Sequence, residues 1–247
     1  MTQPFRPIFE NSFELSQLKD GSTTLRDLTY KCLMHSEIGC YLEAQSVYVD
    51  QSQILERFLK TNSLTLWDCG MGTTSNVIAT LDHLQSHTTS PLNLFIESFE
   101  NQTDGLRLCL DNLEHFKFLI PYETSLRQLL HQNRVKFTLS KQPQLRIHWS
   151  LHSGEFLDYL KTPLKKADLL YYDFYSPQDQ TEEWSLTTLQ ALSTHLNPQA
   201  RLITYVAQGE FKRHLKQVGF NVSRGQGTSM KRETTLADWP GITMIGM

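Results

Sequence analysis

The chain has 247 residues, 39% of them hydrophobic, and a formal net charge of −3. That length supports one large α/β domain with a full core, and the mild acidity excludes a protein coated in positive charge, so any nucleic-acid contact has to rest on a local patch. No apolar run approaches the roughly 20 residues of a membrane span, and Cys32, Cys40, Cys69 and Cys109 form neither a C-x-x-C pair nor zinc-ligand spacing, which predicts a cytoplasmic protein with reduced thiols, no metal and no membrane contact.

In chain order, residues 1–43 are expected to be an N-terminal arm and substrate-side extension, and residues 44–247 a single domain. Residues 1–20 contain Pro4 and Pro7 without a sustained period and suit a surface-wrapping arm, whereas 23–30 alternate like a strand. Residues 34–44 read as a loop in which His35 and Glu43 are candidates for lining a substrate pocket, with capping or surface roles as the competing reading. Val47, Ile54, Leu55, Phe58 and Leu59 have the spacing of an amphipathic helix. The apolar stretch from Leu64 then runs through Asp68 into a glycine turn, and a helix begins at Ser75 and Asn76.

A second buried strand covers 91–100 and ends in acids. A long helix is expected over 103–119, with Pro121 ending it or opening the next. Further strands are expected at 145–149, 167–173 and 200–206, with helices over 182–195 and 209–218. Residues 220–223 and 233–237 close the order as an antiparallel hairpin around Gly225, Gln226 and Gly227. Strands alternating with helices predict an α/β, Rossmann-like fold with a mainly parallel, doubly wound sheet and a C-terminal antiparallel hairpin.

In such sheets the ligand lies beyond the carboxyl ends of the strands. Those ends carry Asp68 to Gly72, Glu97 and Glu100, Gly154-Glu155, and Asp173. A carboxylate after the second strand can accept hydrogen bonds from both hydroxyls of a ribose. Glu100 and Glu97 compete for that role from opposite faces, and Glu100, at the very end of the strand, is preferred. Glu155 is a candidate for the base side of a nucleoside, against a first-turn acid favoured by the helix dipole. Asp173 follows an apolar strand and precedes Phe174 and Tyr175, and a charged group held among aromatic rings points to chemistry.

Between Arg201 and Arg232 there are seven basic residues against the single acid Glu210, a net +6. Lys212, Arg213 and Lys216 share a helix face, and Lys231 and Arg232 follow a glycine loop. This patch is the candidate contact for phosphates, with a merely solvated helix face as the alternative.

Taken together, Met34-His35-Ser36 to Glu43-Ala44, Asp68-Cys69-Gly70-Met71-Gly72-Thr73 with Asn76, Ser98-Phe99-Glu100, Gly154-Glu155-Phe156, Asp173-Phe174-Tyr175-Ser176-Pro177 with Trp184, and Gly227-Thr228-Ser229-Met230-Lys231-Arg232-Glu233 resemble one family over about residues 24–237. It comprises the methyltransferase domain of the bifunctional bacterial enzyme that completes 5-methylaminomethyl-2-thiouridine at the tRNA wobble position, and its stand-alone relatives. The resemblance implies a class I methyltransferase fold, S-adenosylmethionine as cofactor, tRNA as partner, and methylation of the primary amine of 5-aminomethyl-2-thiouridine.

On the family pattern Asp68, Gly70, Met71, Gly72, Thr73 and Asn76 hold the methionine part of the cofactor, Glu100 its ribose and Glu155 its adenine side. Asp173 faces both the methyl group and the acceptor amine, with Phe174 and Tyr175 stacking on the base. His35, Lys212, Lys231 and Arg232 complete the expected substrate contacts. The chain departs from the pattern at Thr74, where the family often has a further glycine, at Gln180-Thr181 in place of Asn-Pro, and at Glu155 in place of an aspartate. A separate flavin-dependent oxidase is the expected source of the preceding step.

Three rivals stand beside this reading. A nicotinamide oxidoreductase would call for a fuller G-x-G-x-x-G turn than one with Ser75 in third place. A methyl- or aminopropyltransferase of small amines would share the fold, and a non-catalytic tRNA-binding module would keep the fold without the chemistry.

Overall fold

The computed structural model describes residues 9–18, 21, 23–34, 39–87, 91–227 and 232–241. The chain opens with an antiparallel meander of β1 (Phe9–Glu10), β2 (Phe13–Gln17), β3 (Thr23–Asp27) and β4 (Cys32–Leu33). The expected surface-wrapping arm is therefore corrected: part of residues 1–20 is sheet. Leu15 pairs with Leu25 in register, and both are buried with Phe13 in the core of the main sheet. Burial of each such side chain stabilises the attachment by about 2 kcal/mol. The alternation lasts only five residues in each strand, too short to stand out beside the polar neighbours.

The helix expected over 44–59 begins earlier and is broken. It runs as α1 (Cys40–Ala44), a widened π turn at Gln45–Val49, α2 (Asp50–Ser52) and α3 (Ile54–Lys60), with Gln53 in left-handed backbone at φ 54°. Residues 40–44, read as loop from the sequence, are thus helical. After β5 (Ser63–Cys69), α4 (Ser75–His87) and β6 (Leu92–Glu100), the single helix expected over 103–119 is replaced by α5 (Asp104–Leu110) and a 3-10 turn at Lys117–Tyr122 leading into α6 (Glu123–Gln132). The Asn112 side-chain amide donates to the Leu108 carbonyl at 2.8 Å, and this local bond competes with the helical ladder and ends α5.

An unforeseen strand, β7 (Arg134–Leu139), precedes β8 (Gln142–Ser153), and α7 (Phe156–Tyr159) is short. Then follow β9 (Ala167–Tyr172), α8 (Leu186–Ser193), β10 (Leu196–Thr204), α9 (Gly209–Val218), β11 (Asn221–Gln226) and β12 (Glu233–Asp238). The main sheet has the order β11-β12-β10-β9-β5-β6-β8-β7. Its centre is parallel, while β12 runs antiparallel between β10 and β11, and β7 is an antiparallel edge. The predicted hairpin is present.

Strand alternation builds two cores. Leu64 and Leu66 of β5 enter the one under α4, α5 and α6, while Trp67 and Cys69 enter the other with Leu189, Leu192, Phe211 and Leu215 of α8 and α9. Strand order reverses at β5, between β6 and β9, and so opens a crevice beyond their carboxyl ends. Among the described residues no helix is long and apolar enough to cross a membrane.

Candidate active site

The turn after β5 is built for close approach. Gly70 has φ 85°, and a β-carbon there would lie 2.6 Å from the Asp173 carbonyl oxygen. The amides of Gly70 and Met71 donate to the Phe99 carbonyl at 3.0 and 3.3 Å. That of Gly72 donates to Glu100 Oε2 at 2.9 Å, and Gln102 N–H donates to Oε1 at 3.0 Å. The turn thus spends its amides on the chain's own acceptors, one of them a carboxylate.

Above the turn lies a cavity of about 350 Å³, walled by the carboxyl ends of β5, β6, β8 and β9, by α1 and the π turn, and by the N-terminal meander. Seven carboxylates line it: Asp27, Glu43, Glu100, Glu155, Asp173, Asp179 and Glu183. Among the described lining residues there is no Lys, Arg or His. Burial raises the carboxyls of Glu100 and Glu183 above their ordinary range, opposed at Glu100 by the amides that bond it. Such a surface attracts cations and repels phosphates.

Asp173 sits at the end of β9, where its amide donates to the Cys69 carbonyl at 2.8 Å. Its Oδ1 accepts from the Tyr48 hydroxyl at 2.5 Å and its Oδ2 from the Asn76 amide at 2.7 Å. Two donors from different elements fix the carboxylate plane and favour its ionised form. Tyr48 is buried, and its phenol is pushed well above 10 by that burial and by Asp173. Gln51, one turn further, bonds the Ser46 and Val47 carbonyls and accepts from Gln226 N–H at 2.8 Å, which pins the π turn to the C-terminal hairpin.

Gly70, Met71, Gly72, Asn76, Glu100, Glu155, Asp173, Phe174 and Tyr175 all line the cavity. Glu155 occupies the N-cap of α7 without a side-chain capping bond, so its carboxylate is not absorbed by the helix. Glu97 is elsewhere: it bonds His152 Nε2 at 2.7 Å and does not reach the cavity. Asp68 and Thr73 lie behind the lining, both buried. Asp68 Oδ2 accepts from Ser98, whose oxygen also accepts from Trp149 Nε1. Its Oδ1 has no hydrogen-bond partner, and burial raises its carboxyl to about 8.

Two aromatic expectations change in detail. Most of the Phe174 ring is packed against Phe156 and Tyr172 in the second core, each at 5.1 Å. Tyr175 is pinned: its hydroxyl donates to Asp27 Oδ2 at 2.8 Å, and Tyr30 covers it at 4.7 Å. The C-terminal basic patch is also corrected. Lys212 and Arg224 both pair with Glu233, at 2.6 and 3.0 Å, and Arg201 pairs with Asp238 at 2.7 Å, so two acids just past Arg232 engage three of its seven cations. Lys212 does not line the cavity, Arg232 is exposed, and His35 and Lys231 lie outside the described residues.

Sequence reasoning missed Tyr48, Asp27 and Tyr30. Tyr48 reads as one more ring on an apolar helix face, and Asp27 and Tyr30 as a strand end, because their meeting with Asp173 and Tyr175 spans 125 and 148 residues of chain.

Residues 121–240 match the model of a family described as S-adenosyl-L-methionine-dependent methyltransferase. The Burkholderia thailandensis tRNA 5-methylaminomethyl-2-thiouridine biosynthesis bifunctional protein MnmC is 23% identical over 213 residues, which cover 85% of this chain and 33% of that protein. Its Cupriavidus necator namesake is 36% identical over 94 residues, or 38% of this chain and 14% of the relative. The chain spans about a third of the length of this Burkholderia thailandensis relative and of its Burkholderia multivorans namesake. The crystal structure of MNMC2 from Aquifex aeolicus superposes with a TM-score of 0.72 at 22% identity, covering 92% of this chain and 70% of that one. The fold is that of a class I methyltransferase.

Proposed function

We propose that this chain is an S-adenosylmethionine-dependent methyltransferase that acts on the primary amine of 5-aminomethyl-2-thiouridine at the tRNA wobble position. The observation that carries the reading is the cavity's charge: seven carboxylates and, among its described lining residues, no basic side chain. That lining fits a cofactor with sulfonium and ammonium charges and an acceptor that is itself an alkyl ammonium. The same lining opposes a nicotinamide dinucleotide, because the turn amides that would cradle a pyrophosphate are bonded to Phe99 and Glu100 instead.

The cradle at Gly70 and Gly72, too tight at Gly70 for any β-carbon, suits the methionine end of the cofactor, with the buried Asp68 carboxyl behind it. Glu100, held by two main-chain amides, keeps lone pairs for ribose hydroxyls. Glu155 and Phe156 stand on the adenine side. When bound, the cofactor supplies an electrophilic methyl group. Asp173 then does the remaining work. An alkyl ammonium with a pKa near ~10 has no lone pair with which to attack, and a carboxylate locked by Tyr48 and Asn76 can orient the amine and take up its proton. Holding the two partners in line supplies much of the acceleration.

The bifunctional nature of the relatives leads to a second part of the reading: a flavin-dependent oxidase supplies the amine substrate, and the work is done in the bacterial cytoplasm. Nucleoside mass analysis of tRNA from a strain lacking the last methylation, before and after incubation with the protein and S-adenosylmethionine, tests the proposal. Conversion of the aminomethyl to the methylaminomethyl nucleoside is expected. Cofactor binding with methyl transfer to free small amines and none to tRNA would overturn it.

A further inference from the structure

The cavity repels phosphates, so an RNA that presents a nucleotide to it must be held by a surface outside, and in the C-terminal patch Arg201, Lys212 and Arg224 are already held by acids. One face of the main sheet has the required chemistry. On β8 the odd positions Leu145, Ile147, Trp149 and Leu151 enter the first core, which turns Arg146, His148, Ser150 and His152 to the opposite side. There α8 and α9 cover the sheet around β5, β9 and β10, but the region of β6, β8 and β7 remains open: Arg134, Lys136, Arg146 and Lys165 are exposed and Phe95 and His148 half-buried.

Register brings these side chains together. His148 stands opposite Lys136 on one side and Phe95 on the other, and Arg146 opposite Thr138 and Asn93. The His148 ring stacks on Phe95 at 4.8 Å, and Lys165 Nζ lies 3.8 Å from the Phe95 ring centre. The His148 imidazole is held below its ordinary pKa by burial and then by Lys136, Lys165 and Arg146, which is what convergent cations do. Among the described residues none of Arg134, Lys136, Arg146 or Lys165 has a carboxylate within ion-pair distance, in contrast to Arg201, Lys212 and Arg224. From Arg146 the strand climbs about 20 Å to Ser153, and Gly154 and Glu155 beyond it line the cavity.

We infer that the open face of β6, β8 and β7 is the docking surface for the RNA sugar–phosphate backbone, positioned so that one nucleotide, drawn out of its stack, reaches the anionic cavity. The inference rests on the tRNA reading of the site. Charges free of internal partners are the ones that release counterions on binding phosphates, and such contacts set the register of the RNA while the cavity reads the base. The face is polar and mainly cationic, with the His148–Phe95 and His152–Phe99 stacks along it and Glu97 bonded to His152, which suits a polyanion rather than an apolar partner.

The test is a triple charge reversal, Lys136→Glu, Arg146→Glu and Lys165→Glu, compared with Arg213→Glu, Lys216→Glu and Lys60→Glu away from that face. Binding of unmodified tRNA is measured by filter retention over a salt series, with cofactor titration and thermal midpoint as controls. The face variant is expected to bind tRNA at least about tenfold more weakly, with a salt slope shallower by about one per lost phosphate contact. Its KM for tRNA should rise while kcat and cofactor affinity hold, and the other triple variant should stay within about twofold of the parent. Unchanged tRNA affinity in the face variant, or the loss appearing in the other variant, overturns the surface and leaves methylation standing. A parent protein that binds tRNA through this face yet transfers no methyl overturns the methylation reading instead, and one that binds no tRNA overturns both.

Discussion

Replacing Gly70 with alanine should be among the most damaging single-methyl changes in the molecule. Alanine at φ 85° costs about 1–2 kcal/mol of backbone strain. Its β-carbon would also stand 2.6 Å from the Asp173 carbonyl oxygen, 2.8 Å from its carbon and 3.0 Å from the Phe174 nitrogen. Those neighbours are main chain, so they cannot rotate away, and relieving the overlap means separating the ends of β5 and β9 at about 1–3 kcal/mol. The sum, about 2–5 kcal/mol, is a large part of the 5–15 kcal/mol typical of a folded domain. Separation would stretch the 2.8 Å bond from Asp173 N–H to Cys69 O and move the Asp173 carboxylate off Tyr48 and Asn76, so cofactor affinity and turnover should fall with stability. Urea unfolding followed by circular dichroism measures the first effect and calorimetric cofactor titration the second. Gly72→Ala is the control: at φ 51° its β-carbon meets, among the described residues, only the terminal methyl of Met34, at 3.0 Å, and a loss of about 1 kcal/mol is expected. A Gly70→Ala protein within about 0.5 kcal/mol of the parent would refute the packing argument.

Asp173→Asn should keep cofactor affinity within a few-fold and lower kcat by about 10² or more, whereas Tyr48→Phe should keep the fold and move the acid limb of the kcat profile upward, because the carboxylate loses a donor that favours its ionised form; an unmoved limb would reduce Tyr48 to packing. Asp68 holds its proton to about pH 8 in the fold but releases it near ~4 when unfolded, so the native state binds more protons and this group's contribution to stability is present below pH ~4 and lost as pH rises to about 8. The urea midpoint of Asp68→Asn relative to the parent should therefore improve between pH 5 and 8, and a constant offset would contradict that. Thr74 is a buried β-branched residue at φ 62°, so Thr74→Gly should unfold within about 1 kcal/mol of the parent, because strain relief offsets the lost methyl; Thr80→Gly, inside α4 and bonded to Asn76 and Tyr171, should lose about 3 kcal/mol.

Much of the site was legible along the chain because class I strands deliver their ligands at their own carboxyl ends. Asp68 to Gly72, Glu100, Glu155 and Asp173 each follow an apolar run, so alternation and turn chemistry place them at one edge without knowledge of the packing. Thr74 shows the same local logic, since its left-handed backbone accounts for the glycine usual there. What failed were readings that depend on distant partners. Lys212 looked like a free cation until β12 brought Glu233 against it, and the open basic face could not be seen because its members, from Phe95 to Lys165, lie on three strands and a loop.

The N-terminal meander makes the same point from the other direction. Asp27 and Tyr30 close the cavity against Tyr175, yet nothing in residues 1–43 read alone marks them as site residues. Periodicity, glycine placement and the acids at strand ends are local properties, and they were sufficient to determine the fold class, the strand that carries Asp173 and the edge where the cavity opens. The clamp of Tyr48 and Asn76 on Asp173, the burial of Asp68 behind the turn and the pairing of cations with acids were decided only by tertiary structure, because hydrogen bonds and ion pairs form between groups that the chain separates by tens to hundreds of residues and only packing brings within 3 Å.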